Sequence, residues 1–416
     1  MSAIIEDLTA RRIYNGRGNA TIEVDVTTIN GFGSASAPSG ASTGKAEAMP
    51  FPEGGIEEAI RKVDELIAPE IIGLCADEQE EIDMLLHELD DTEGFRSIGG
   101  NTAYAVSLAV ADAAADSYGL PLFQYLGGSL ASDLPCPLGN VVGGGKHALG
   151  KATDIQEFLV LPIGAPSFSA AADANAAIHR ELKALLRKAD PNFTGGKGDE
   201  GAWAPNVSND EALEAVSGAC EEVSGELGFD CRPALDVAAS SLWDAEKKSY
   251  VYARDGLSRD TSEQIDYVLS LIEKYRLVYV EDPVHEDDFG GFKELTSRSR
   301  DCLICGDDLF VTNVKRLEKG IKMGAGNSII IKMNQVGTLT DTWEATRLAQ
   351  ESGYVPVVSH RSGETEASHI AHLAVAFKAP IIKTGVVGGE RIAKLNELIR
   401  IEETLGERAR MSRLNM

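Results

Sequence analysis

The sequence predicts an α/β protein in which a small α+β segment, residues 1–130, precedes a closed barrel of alternating strands and helices, residues 131–416. Three observations carry this. The chain has 416 residues, a length that suits one large barrel with a smaller companion. From about residue 155 onward, short apolar runs alternate with amphipathic helices, the rhythm of a parallel sheet covered by helices. At least seven such runs, in a stretch of this size, fit an eight-fold barrel. Before residue 130 the rhythm differs, with a strand followed by consecutive helices.

Taken in order, residues 20–28 (ATIEVDVTT) place Ile22, Val24 and Val26 on one face and Glu23, Asp25 and Thr27 on the other, a half-buried strand. The small-residue stretch 31–44 (GFGSASAPSGASTG) reads as a mobile loop. Ile56, Ala59, Ile60, Val63, Leu66 and Ile67 recur as one helical face, and helical spacing returns at 79–90 and after the glycines at 99–100. The later runs are EFLVLP (157–162), PALDVAA (233–239), LVYVEDP (277–283), CLICGDDL (302–309), SIIIKMNQ (328–335), VPVVSHRS (355–362) and APIIKTG (379–385). The helices between them include 261–275, 339–353 and 390–406.

Composition narrows the function classes. Hydrophobic residues make up 43% and charged residues 25%, the balance of a folded globular chain. With 39 Lys and Arg against 65 Asp and Glu the formal charge is −26, which argues against a nucleic-acid groove or an anionic membrane surface as main partner. The N-terminus MSAIIEDLTARR lacks the basic-then-apolar order of a signal peptide, and no apolar run reaches transmembrane length. The six cysteines do not form a disulfide scaffold; Cys302 and Cys305 read as core thiols on opposite faces of a strand. A cytoplasmic location is the expectation.

Asp236, Glu281, Asp307, Lys332, His360 and Lys383 each fall late in, or just after, an apolar run. In a barrel those strand ends share one mouth, where active sites of this architecture lie. Three carboxylates converging there repel unless a cation holds them, and an all-oxygen set favours Mg²⁺ or Mn²⁺ over zinc. The alternative is that these acids form structural ion pairs with Lys332 and Lys383. Lys332 follows three isoleucines, so burial and a nearby metal together should depress its pKa and suit it to act as a base. Arg361 and Ser362, beside Gly363, suit a phosphate or carboxylate. Glu200 sits in the glycine-rich loop GGKGDEGAWAP, which would aim a carboxylate into the mouth. Gln156 and Glu157 begin their run rather than end it, so strand ends alone do not place them. A metal on a substrate carboxylate, a lysine base and an opposing acid form a recognised pattern for removing the proton alpha to a carboxylate.

PSGASTG (38–44), DIQEF (154–158), GDEG (198–201), ALDVAAS (234–240), EDP (281–283), GDDLFVTN (306–313), IKMNQVGTL (331–339), SHRSGETE (359–366) and IKTG (382–385) stand in an order and spacing that resembles the enolase family, from residue 11 to residue 405. The resemblance implies a β3α4 N-terminal domain and a TIM-like β2α2(βα)6 barrel. It implies that Asp236, Glu281 and Asp307 hold a first Mg²⁺, and that Ser42 ligates a second when its loop closes, with Mn²⁺ as a substitute. By the same resemblance Lys332 takes the C2 proton of 2-phosphoglycerate, Glu200 assists departure of the C3 hydroxyl with Glu157 nearby, and His360 and His147 line the pocket. Gln156, Arg361, Ser362 and Lys383 would contact this small phosphorylated acid. Glu23 and Arg400 sit where family dimers place an intersubunit ion pair, so a homodimer or higher homo-oligomer is expected.

The chain departs from the family pattern at Gly16 and Ala20 in NGRGNAT, at Gly143 in NVVGGGKHA, and in GVVGGER, which is one residue shorter than usual after Lys383. A paralogue acting on another 2-hydroxy phospho acid is the competing enzyme reading, and a silent binding protein on the same fold is the competing non-enzyme one. A binding surface needs none of Asp236, Glu281, Asp307, Glu200, Lys332 and Lys383. Of the remaining histidines, His369 and His372 read as packed or capping, and His87, His179 and His285 as surface residues.

Overall fold

The computed structural model describes residues 3–40, 44–148 and 152–414. The chain opens with three antiparallel strands in the order β1 (Ile5–Tyr14), β2 (Ala20–Thr28) and β3 (Phe32–Ser36). In β2 the alternation works as read, with Ile22, Val24 and Val26 fully buried. The strand β3 corrects the loop expected at 31–44. Its residues are small because a helix lies almost against its backbone. A Cβ added at Gly33 would sit 2.2 Å from the Ala109 carbonyl oxygen, so glycine permits the approach that a larger residue would block.

Helix α1 (Gly55–Lys62) continues through a π-helical turn, Val63–Ile67, and is followed by α2 (Gln79–Asp90) and α3 (Gly100–Ser117). The wide turn takes up the last third of the helical stretch expected over 55–68. Nearly every residue of α3 is buried, because β2 and β3 cover one side and other helices the rest. Met333, Leu339, Leu373 and Phe377 of the second half complete this core, joining the two halves.

The second half is a closed barrel of eight strands met in chain order: β4 (Cys136–Gly143), β5 (Glu157–Pro162), β6 (Cys231–Asp236), β7 (Tyr279–Glu281), β8 (Leu303–Gly306), β9 (Ser328–Ile331), β10 (Val355–Ser359) and β11 (Ile381–Lys383). Two helices, α4 (Phe168–Ala189) and α5 (Asn209–Leu227), follow β5 in series. Thereafter strands alternate with α6 (Thr261–Tyr275), α7 (Phe289–Arg298), α8 (Val314–Met323), α9 (Leu339–Glu351), α10 (His369–Ala376) and α11 (Gly389–Leu405). The topology is therefore β2α2(βα)6.

The expectation of a wholly parallel sheet fails at one strand. Among the described residues only a single 3-10 turn, Gly145–His147, stands between β4 and β5, with no α-helix to carry the chain back, so β5 pairs antiparallel with both β4 and β6, while the other neighbours are parallel. Side chains pointing inward, among them Leu138, Leu159, Leu161, Tyr279, Ile330, Val357 and Ile381, fill the barrel below its mouth. Cys305 belongs to that inner layer and Cys302 to the layer under the helices, as the strand period requires. All six cysteines are unpaired. His179, expected at the surface, is instead buried, with its ring stacked 4.5 Å from Trp203. Burial pushes its pKa down to about 4.

Candidate active site

The barrel register writes the site. Glu157, Asp236 and Glu281 are Cα partners across the adjacent strands β5, β6 and β7. Because β5 runs backwards, its first residue reaches the same end of the barrel as the last residues of β6 and β7. This explains why Glu157 opens its apolar run while Asp236 and Glu281 close theirs. Three carboxylates side by side repel strongly in a buried row. Lys383 closes β11 on the opposite wall and answers the row. Its Nζ lies 3.0 Å from Glu157 Oε2, 3.1 Å from Asp236 Oδ2 and 2.7 Å from Glu281 Oε2. Burial works against the charge on Lys383, but Asp236, Glu157 and Glu281 outweigh it and hold the pKa well above the usual lysine range. Glu281 is pushed up to about 8 by burial first and by Asp236 second.

Asp307 follows β8 and Lys332 follows β9, and the two form an ion pair. Asp307 also accepts a hydrogen bond from Gln335 Nε2 at 2.9 Å. Its own amide donates to Asp282 Oδ1 at 3.0 Å, and the Asp308 amide to Asp282 Oδ2 at 2.8 Å, so one buried carboxylate cradles the turn. Without a cation beside it, Lys332 is held by its partner in the protonated state. Burial, Arg361 and Lys383 do lower its affinity for a proton, but Asp307 outweighs them and the net shift is upward. A run of isoleucines shows the burial and not the partner.

On the far side of the mouth stands a second group. Glu200 has φ 63°, a left-handed conformation that non-glycine residues seldom adopt. The next residue, Gly201, packs so close to the 385–388 loop that a Cβ there would lie 2.3 Å from the Val387 carbonyl oxygen. This tight loop pins the Glu200 carboxylate where it accepts from Asn140 Nδ2 at 3.1 Å and faces His360 Nε2 at 3.3 Å. His147 Nδ1 lies 3.0 Å from Glu157 Oε1. His147, Glu157 and Glu200 bring ligand-type atoms within 4.8 Å of one another.

The shared site splits the two glutamates. Burial and the charge of Glu200 push Glu157 upward. Burial also opposes ionisation of Glu200, but His360, His147 and Arg391 outweigh it and hold it well below the usual carboxylate range. Burial likewise opposes the charge on His147, yet Glu157 and Glu200 outweigh it and raise the pKa to about 9. His360 goes the other way, pushed by burial to about 4, so it is neutral at neutral pH. Neighbouring titratable groups driven apart in this way are the mark of acid and base assignments.

Both groups line one cavity of about 40 Å³, whose walls are Gly40, His147, Gln156, Glu157, Glu200, Asp236, Asp307, Lys332, Ser359, His360, Arg361, Ser362 and Lys383. Every site residue expected from the sequence lies on this wall except Glu281, which reaches it through Lys383, and Ser42, which falls outside the described residues. The alternative of structural ion pairs is also realised, since both lysines are paired with these acids. Asp236, Glu281 and Asp307 do not by themselves make a compact ligand set; the group around Asp307 is Asp282, Asp307 and Asp308. Three partners escaped the sequence reading. Asn140 lies on β4, a strand hidden by Pro137, Gly139 and Gly143. Gln335 follows Lys332 by three residues. Glu47, from the N-terminal half, accepts from Arg361 Nη2 at 3.0 Å.

The comparisons agree with this geometry. Residues 5–126 match the family model of the enolase N-terminal domain, and residues 131–415 that of the enolase C-terminal TIM barrel domain. The enolase of Methanothermobacter thermautotrophicus is 57% identical over 406 residues, covering 97% of this chain and 98% of the relative. That of Methanosphaera stadtmanae is 58% identical over 406 residues with the same coverage. That of Haloarcula marismortui is 54% identical over 404 residues, covering 96% of this chain and 99% of the relative. With two family models spanning nearly the whole chain and relatives this similar along their full length, the chain belongs to the enolase family.

Proposed function

We propose that the chain catalyses the reversible, Mg²⁺-dependent dehydration of 2-phosphoglycerate to phosphoenolpyruvate, a step of glycolysis and gluconeogenesis. The observation that carries this reading is the placing of Lys332 and Glu200 on different walls of one cavity, with the carboxylate row between them. Lys332 accepts the proton from C2. Glu200, from the loop opposite, acts on the departing C3 hydroxyl, with Glu157, His147 and His360 setting its protonation. Arg361, Ser362, Gln156 and Lys383 hold the phosphate and carboxylate of the substrate.

The residues present fit a divalent cation. Glu157, Asp236, Glu281 and Asp307 are four acids facing two lysines. Glu281 Oε1 is buried without a hydrogen-bond partner. Asp236, Glu281 and Asp307 would hold Mg²⁺, and Ser42 a second ion. Bound there, Mg²⁺ supplies a Lewis acid that draws charge from the substrate carboxylate and makes the C2 hydrogen more acidic. Asp307 is the group that keeps the proton on Lys332. Sharing its charge with a cation leaves burial, Arg361 and Lys383 to favour the neutral amine.

The test is the appearance of phosphoenolpyruvate absorbance from 2-phosphoglycerate. Turnover is expected with Mg²⁺ or Mn²⁺ and none after thorough chelation. Undiminished turnover in chelator would sink the reading.

The same reading makes the protein a cytoplasmic homodimer, or a higher homo-oligomer built from such dimers, with Glu23 and Arg400 paired between subunits. Six unpaired cysteines suit a reducing compartment. Arg400 is exposed, and Glu23 lines an open cavity of about 320 Å³. Sedimentation of a species with twice the chain mass is the expected result, and a monomer at micromolar concentration contradicts it.

A further inference from the structure

Arg391 is the largest fully buried side chain among the described residues. It stands in the first turn of α11, where a cation usually faces solvent, and does not line the cavity. Its guanidinium spends itself on three consecutive residues of the 360–362 loop. Nη1 donates to His360 Nδ1 at 2.7 Å and to the Arg361 carbonyl at 2.6 Å, and Nη2 donates to the Ser362 carbonyl at 2.5 Å. One turn on, Lys394 Nζ donates to the Thr365 carbonyl at 2.6 Å and pairs with Glu364 at 2.9 Å. The start of α11 is thus a two-cation latch on the loop that carries His360, Arg361 and Ser362.

The contact with His360 has a chemical consequence. A guanidinium only donates, so the ring nitrogen facing it must accept. In a neutral imidazole one nitrogen accepts and the other carries the proton. With Nδ1 accepting, the proton sits on Nε2, the atom 3.3 Å from Glu200 Oε2. The other tautomer would turn a lone pair toward the carboxylate and a ring N–H toward the guanidinium, which is repulsive at both ends.

We propose that Arg391 is a positioning residue that fixes the Nε2–H tautomer of His360 and so aims an N–H at Glu200, the group acting on the leaving hydroxyl. The tautomer stands on geometry alone; its catalytic consequence rests on the function proposed above. Because Lys332 lies across the cavity and does not touch this latch, loss of Arg391 should damage the leaving-group step and spare proton removal at C2.

The experiment uses the intact protein with ¹⁵N- and ¹³C-labelled histidine, His360 being assigned by difference from His360→Gln. In the wild type, Nδ1 of His360 should show the shift of a bare nitrogen and Nε2 that of an N–H. In Arg391→Met, which keeps length and removes the donors, the proton should redistribute to Nδ1. Net dehydration of 2-phosphoglycerate should fall roughly 10–100-fold, the usual cost of losing a partner that orients a histidine. Exchange of the C2 hydrogen with deuterated solvent should fall far less, and Arg391→Lys should restore part of the dehydration. A wild-type His360 protonated on Nδ1 overturns the proposal, and it does so even if Arg391→Met fails to fold. An unchanged tautomer in Arg391→Met, or exchange and dehydration falling together, overturns it as well. A wild type that does not turn over 2-phosphoglycerate at all refutes the proposed function, and the spectrum still decides the tautomer.

Discussion

Replacing Lys332 with alanine is expected to lower kcat by roughly 10²–10⁴-fold, the contribution typical of a positioned general base, while KM changes little. On the proposed roles the loss should fall on kcat, because Lys332 would face the C2 proton while Arg361 and Lys383, cations on the same cavity wall, would hold the phosphate and carboxylate. The variant should remain folded. Its removal frees Asp307, which still accepts from Gln335 and sits beside the mouth. Steady-state kinetics at saturating Mg²⁺ check this. A variant with near wild-type kcat would place the base elsewhere.

Replacing Lys383 with methionine is expected to act on stability as well as on turnover. Methionine preserves much of the volume and removes the side chain that pairs with Glu157, Asp236 and Glu281 together. Removing one partner of a buried ion pair costs about 3–5 kcal/mol, because the remaining charge is left uncompensated. The sign with pH follows. Glu157 and Glu281 already hold protons more tightly in the folded than in the unfolded chain, through burial and neighbouring carboxylates, and loss of Lys383 strengthens that. The folded state then binds more protons, and stability falls as pH rises. Urea unfolding in chelator should therefore show a larger loss at pH 8 than at pH 5, and added Mg²⁺ should recover part of it by binding the folded state alone. A variant as stable as the parent at pH 8 in chelator would mean that the carboxylate row is not charged as argued.

How much of this was legible in the sequence differs from residue to residue. Asp236, Glu281, Asp307, Lys332, His360 and Lys383 could be placed because each follows an apolar run, and a parallel barrel gathers such ends at one mouth. Glu157 escaped that logic because the direction of β5 depends on the short connection before it, whose described residues hold one 3-10 turn and no α-helix, not on its own residues. The strands Cys136–Gly143 and Phe32–Ser36 were hidden for a common reason. Their apolar content is diluted by glycines that packing demands. A Cβ at Gly139 would lie 2.6 Å from Val386 and one at Gly33 would collide with Ala109. The protonation of Lys332 was open in the sequence, which offered both a metal and an ion pair with these acids; the structure pairs it with Asp307. Arg391 was invisible because a cation in an amphipathic helix ordinarily belongs to the solvated face. Here the face it occupies lies over the 360–362 loop.

The central claim is that proton removal and hydroxyl departure are assigned to different residues on different walls of one cavity. Exchange of the C2 hydrogen of 2-phosphoglycerate in deuterated, Mg²⁺-containing buffer measures the first step apart from the second. Glu200→Gln is expected to lose net dehydration and to keep measurable exchange, because the proton still leaves to Lys332 and returns. Lys332→Ala is expected to lose both. Wild-type exchange in Lys332→Ala, or loss of exchange in Glu200→Gln to the level of Lys332→Ala, would contradict the assignment.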